Sequence, residues 1–205
     1  MSCYKYPRFV DKNNITTITD RVNERRFLLR IKLKGAGEGS LLVIIKNMGA
    51  ADVIDCDERV YRILKYVKLN EELQSIGEVM IMSIFPVCCC KTNYIIQKLY
   101  EKGPDFICGN DDLFQDEDKV LQNRYLLKKY ILKADKIILA WGTPVRVLSK
   151  FFNESSDYIL NIIKESRKIN PLKQVYIVGE QNITGHPKSC MSWRYKDRLS
   201  SYNNL

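Results

Sequence analysis

The run Leu41-Leu42-Val43-Ile44-Ile45-Lys46 constrains the fold more than any other stretch of the chain. A strand with one wet face alternates apolar and polar residues. A strand that is apolar at successive positions has to be covered on both faces, as in a parallel sheet flanked by helices. Directly downstream the period changes: Val60, Ile63, Leu64 and Val67 recur at i, i+3, i+4 and i+7. Residues 57–68 therefore predict a helix with one buried face, capped by Asp55 or Asp57.

The same alternation continues. EVMIMSIF at 78–85, KIILAW at 136–141 and QVYIVG at 174–179 predict further strands, with helical patterns at 119–133, 144–152 and 156–168. FLLRIKL at 27–33 predicts an edge strand that turns through Gly35–Gly39 and enters 41–46 in a hairpin-like way. The stretch 102–118, with two Gly, Pro104 and five Asp, predicts a long surface loop. The expected fold is α/β, a three-layer αβα arrangement with a mostly parallel central sheet of about four strands. One domain over 1–205 is expected, with an N-terminal extension at 1–24 and a basic tail at 193–205.

Ligands of such sheets bind outside the carboxyl ends of the strands. Those ends carry Asn47 to Asp52, Ser83 to Pro86, Trp141 to Thr143 and Gly179 to Lys188. A formal charge of +9 favours a polyanionic partner through counterion release, against the plainer reading of solvated lysines. In the tail, Arg194, Lys196 and Arg198 are interleaved with Trp193 and Tyr195, a mixture that holds phosphates and stacks on bases.

Seven cysteines are an odd number, and Cys88-Cys89-Cys90 are consecutive, so reduced thiols are expected rather than a disulfide framework. With one histidine and no CxxC pair, neither a metal nor another cofactor is expected. The residues from Met1 to Tyr6 lack the apolar segment of a signal peptide, and no stretch has the length of a membrane span. The expectation is a cytoplasmic, monomeric protein that does not enter a membrane. The loop at Asn47 lacks the GxxxxGK[ST] of a phosphate-binding loop, and Gly35-x-Gly37-x-Gly39 precedes a strand instead of following one.

A strand ending in an Asn-centred loop, then DERVYR, SIF, ILAWG and a late TGHPKS follow one another in fixed order. That order resembles an uncharacterised bacterial and phage domain family patterned N-P-S-T-A-D, D-P-T-x-R-R, N-L-F, A-W-G and G-x-P-x-H-P-L. It is similar also to the uracil-DNA glycosylase superfamily, with G-x-[D/N]-P after the first strand, a later strand ending in Asn, then L-W-G and H-P-S-P-L. The likeness spans residues 25–192. Met48 and Gly49 stand where the first family has Pro-Ser, and Ser83 stands where both patterns have Asn.

The resemblance implies a uracil-DNA-glycosylase-like fold and a DNA glycosylase, which hydrolyses the N-glycosidic bond of a flipped, damaged or modified base, including one in modified phage DNA. It places Asn47, Asp52 and His186 as catalytic: Asn47 orients the attacking water, Asp52 or Asp57 acts as a base or meets the sugar cation, and His186 donates to the departing base. Asp57 equally serves as a helix cap, and a competing alignment puts Ser189 at the last-loop position instead of His186. Met48, Gly49, Ser83 and Phe85 would line the base pocket, although Phe85 also reads as core. Arg62, Lys188, Met191, Trp193, Arg194 and Lys196 would contact duplex or single-stranded DNA, with Met191 or Trp193 as the wedge that opens the stack. Two other readings use the same residues: a hydrolase or transferase of free nucleotides or nucleosides, and a nucleic-acid-binding module without catalysis.

Overall fold

The computed structural model describes residues 4–35, 37–89, 91–111 and 121–203. Residues 112–120, which hold the rest of the expected loop and the start of the helix expected from 119, lie outside the described residues, as do Cys90 and the last two residues of the tail.

The strands are β1 (Tyr4–Lys5), β2 (Val10–Asp20), β3 (Arg25–Leu33), β4 (Gly39–Asn47), β5 (Asp55–Cys56), β6 (Ile76–Phe85), β7 (Lys136–Ala140), β8 (Gln174–Val178) and β9 (Leu199–Ser201). The helices are α1 (Glu58–Leu69), α2 (Thr92–Cys108), α3 (Asn123–Lys133) and α4 (Ser149–Ile169). Seven strands form one sheet in the order β2-β3-β6-β4-β7-β8-β9, while β1 and β5 pair apart from it. Strands β6, β4, β7 and β8 run parallel. They are flanked by antiparallel β3 and β2 on one side and β9 on the other. The sheet is thus mixed and wider than the four parallel strands expected.

The apolar run does what its composition demands. Leu41, Val43 and Ile45 pack with α1 residues Val60, Ile63, Leu64 and Val67 on one face, and Leu42 and Ile44 pack with α3 and α4 on the other. Burying each such side chain stabilises the fold by about 1.5–3 kcal/mol relative to exposure. Asp57 caps α1, its Oδ1 accepting from Val60 N at 3.0 Å.

Several local expectations change. FLLRIKL is an interior strand, because β2 covers its outer side, and β6 lies between β3 and β4, so there is no hairpin. Strand β2, VDKNNITTITD, escapes detection because an edge strand stays polar and its register slips between Val10 and Ile15. Gly103-Pro104 does not open a loop: the chain breaks at Gly103 and continues as helix to Cys108. Pro at the first position of a helical piece needs no amide partner there. The two helices expected at 144–152 and 156–168 are one, α4, across Ser155 and Ser156. Residues 4–24 and 199–201 contribute strands, so neither end is a mere extension. Among the described residues no helix is long and apolar enough to cross a membrane.

Candidate functional site

The chain leaves β4 on the face of α1 and leaves β7 on the face of α4. That divergence opens a crevice at their carboxyl ends, the place where open α/β sheets bind ligands. A cavity of about 190 Å³ lies there, walled by Lys46 and Asn47 from β4, Ala140 from β7, Arg59 from α1, Thr92 from α2, and Ser189 to Met191 from the last loop.

Asn47 is 7% exposed. Its Nδ2 donates to the carbonyl of Cys89 at 2.5 Å and to that of Met48 at 3.4 Å. Two carbonyls can only face the nitrogen, so the amide orientation is fixed and Oδ1 is the acceptor left over. The main chain reinforces this join, because Cys89 N donates to Met48 O at 3.1 Å. Lys46 Nζ donates to Thr143 O at 2.7 Å, tying β4 to the loop after β7. Burial, and then the neighbouring Arg59, lower the pKa of Lys46 from the usual lysine value.

Gly142 and Gly49 make the crevice possible. Gly142 has φ +66, and an added Cβ would stand 3.0 Å from Cβ of Ser189, so glycine lets the last loop close against β7. At Gly49 an added Cβ would fall 1.6 Å from Asp57 Oδ2 and 2.8 Å from Arg59 Nη1. The loop after β4 therefore lies directly on the start of α1.

The residues singled out from sequence divide among several places. Asn47 and Ser189 share the crevice. His186 lines a different cavity of about 350 Å³, with Trp141, Asn153, Asp157 and Tyr202. Its ring meets the Phe152 ring edge-on at 5.5 Å. Burial, then the charge of Lys46, lower its pKa below that of a free histidine. Asp52 folds into a turn, its Oδ1 accepting from Ile54 N and Asp55 N at 2.7 and 2.8 Å, and it faces a third cavity beside Arg26. Asp57 is the helix cap; its Oδ2 is buried and receives no hydrogen bond among the described residues.

Met48 is buried, and Gly49 lines the cavity of Arg26. Ser83 and Phe85 are closed to solvent: Ser83 Oγ donates to Phe85 O at 2.8 Å, and the Phe85 ring packs against Phe152. Arg62 pairs with Glu58 at 2.9 Å on the outer side of α1. Met191 is 37% exposed at the rim of the crevice, whereas Trp193 is 4% exposed and packs on Tyr66 at 5.1 Å between ring centroids. Lys188 stands 3.9 Å from Asp197, and Arg194 and Lys196 are exposed. The sequence reading passed over Lys46, Arg59 and Thr92. Lys46 carried a signal, as the one charged residue in an otherwise apolar run.

Among the described residues no group of three or more His, Cys, Asp and Glu side chains is placed to hold a metal ion. The crevice instead offers cations, hydroxyls and one fixed amide oxygen, a set suited to a phosphate-bearing ligand and a bound water. No protein-family model, no curated protein and no solved structure matches the chain significantly.

Proposed function

We propose that the protein hydrolyses the N-glycosidic bond of a nucleotide within a nucleic acid, using the crevice between the ends of β4 and β7. The observation that carries this reading is Asn47, which lines the cavity and whose amide nitrogen is committed to Cys89 and Met48, while among the described residues no hydrogen bond reaches Oδ1. Water accepted by Oδ1 attacks C1′ of the sugar and the C1′–N bond breaks. The base leaves with the bonding pair, and the proton of the water passes to the base or to solvent. An amide is a weak base, but a sugar with oxocarbenium character needs an oriented water more than a deprotonated one.

Lys46 and Arg59 supply the cations that hold the phosphates on either side of the sugar. Ser189, on the last loop, takes the hydrogen-bonding role toward the departing base that the resemblance gave to His186 or to Ser189. Exposed Met191 is the apolar group placed to fill the gap left by a rotated nucleotide. The formal charge of +9 supports a polyanionic substrate, and the likeness to the uracil-DNA glycosylase superfamily supports the choice of bond.

At about 190 Å³ the cavity is smaller than the roughly 300–1,000 Å³ of sites for drug-sized ligands, which favours a single ring system. Ser83 is too buried to read that ring, so base selection falls to the crevice wall. Burial of Trp193 favours one second reading, the same hydrolysis on a free nucleotide, which needs no wedge.

The test is an abasic-site assay on duplex and single-stranded DNAs carrying ordinary and phage-type modified bases, run beside free nucleotides. Base release from at least one nucleic acid, lost in Asn47→Ala, is the expected result. Release from free nucleotides alone selects the second reading, and no release from any substrate overturns both.

A further inference from the structure

The third cavity, of about 450 Å³, lies between β2 and the loop after β4, with Thr17, Thr19, Arg21 and Arg26 on one side and Gly49 to Ile54 on the other. Arg26 is 3% exposed, directly opposite Thr19 across the β2–β3 pair. Among the described residues its guanidinium donates once, from Nη2 to the carbonyl of Gly49 at 3.0 Å, and its buried Nε finds no partner. Among the described residues no carboxylate comes within 4.0 Å of it. The contrast with its neighbour is sharp: Arg25, equally buried, pairs with both Asp20 and Asp111.

A buried cation without a counterion is costly, and the cost is removed when an anion occupies the space in front of it. Arg26 borders that space. The other walls suit a tetrahedral oxyanion: a second guanidinium from exposed Arg21 and the two threonine hydroxyls of β2. Asp52 also borders the cavity with its carboxylate charge, its Oδ1 turned onto the amides of Ile54 and Asp55, so two guanidinium groups face one carboxylate there. The thiol of Cys88 adds no negative charge, because burial raises its pKa.

We propose that this cavity is a phosphate-binding site, in which Arg26 and Arg21 grip the phosphate oxygens and Thr17 and Thr19 donate to them. The phosphate belongs either to an internal phosphodiester or to a terminal or free phosphate. The site does not depend on the hydrolytic reading of Asn47, since binding to the folded protein reports it without any turnover.

The experiment is thermal denaturation with inorganic phosphate, dimethyl phosphate or acetate, each against chloride at matched ionic strength. Phosphate is expected to raise the wild-type Tm in a concentration-dependent way, and free acetate, with one fewer charge and fewer oxygens, to raise it less. Arg26→Gln is expected to weaken phosphate binding by about tenfold or more, the loss of one charge-assisted contact. Thr17→Glu covers the case in which that variant fails to fold: its carboxylate takes the place of the anion, so Tm rises without phosphate and no longer responds to it.

A response to dimethyl phosphate equal to that for phosphate identifies an internal phosphodiester; a response to phosphate alone identifies a terminal or free group. No shift beyond chloride, an equal shift with acetate, or an unchanged phosphate response in Thr17→Glu overturns the proposal.

Discussion

Asn47 Nδ2 and the carbonyl oxygen of Cys89 stand 2.5 Å apart, so the end of β4 is tied to the loop that leaves β6. The bond both closes the floor of the crevice and decides which end of the amide is left for a ligand. Replacing Asn47 by Ala deletes both side-chain hydrogen bonds, to Cys89 O and Met48 O, a loss of about 1–3 kcal/mol in chemical denaturation. Asn47→Asp is expected to lose more, because a carboxylate sets an oxygen against the Cys89 carbonyl.

The crowding of Gly49 predicts a coupled pair. Gly49→Ala drives a methyl group into Asp57 Oδ2 and is expected to destabilise the protein by about 1–3 kcal/mol. Removing the obstacle in Gly49→Ala/Asp57→Ala makes the double variant less unstable than the sum of its parts. A double-mutant cycle by urea unfolding reads the difference, and strict additivity would show that the two residues do not touch.

His186 is the single histidine of the chain, so its ring resonance can be followed without assignment. Burial, followed by Lys46, places its pKa below the usual 6.5, so it is neutral at pH 7. A titration by NMR is expected to show this, with the midpoint moving up in Lys46→Gln. Because the folded value is the lower one, the stability gained from the neutral ring is fully present above pH 6.5. It is lost as pH falls through the folded pKa.

Asp20 has the analogous carboxylate behaviour. Burial raises its pKa, but hydrogen bonds from Arg25 and Asn23 outweigh burial and hold it below the usual 3.8. Its contribution to stability is complete above that value and disappears as pH falls through the folded one. Asp20→Asn is expected to flatten the acid limb of the unfolding curve. At neutral pH it is expected to cost about 1–3 kcal/mol, since buried Arg25 loses one charge-assisted partner and keeps Asp111.

The interior of the fold was legible because its signals are local. A doubly buried strand such as β4 and a one-sided helix such as α1 announce themselves by period alone. The edges were not: β2 is polar for the same reason that it is an edge, and nothing in FLLRIKL says which strand will cover it. The crevice was half legible. That Asn47 lies at a strand end follows from the pattern, and so does its neighbourhood with the last loop. Which residue of that loop faces it depends on one close approach, Gly142 against Ser189, and this steers Ser189 into the crevice and His186 into the next cavity. That Arg26 has no carboxylate paired to it among the described residues is invisible in sequence, because Arg25-Arg26 gives no hint that only the first finds carboxylates.

The most direct measurement is the single-turnover rate of base release from nucleic acid by wild type and Asn47→Ala at saturating protein. Hydrolysis oriented by Asn47 Oδ1 predicts a rate lower by about a hundredfold in the variant, with substrate affinity retained. Equal rates for the two proteins would contradict the account.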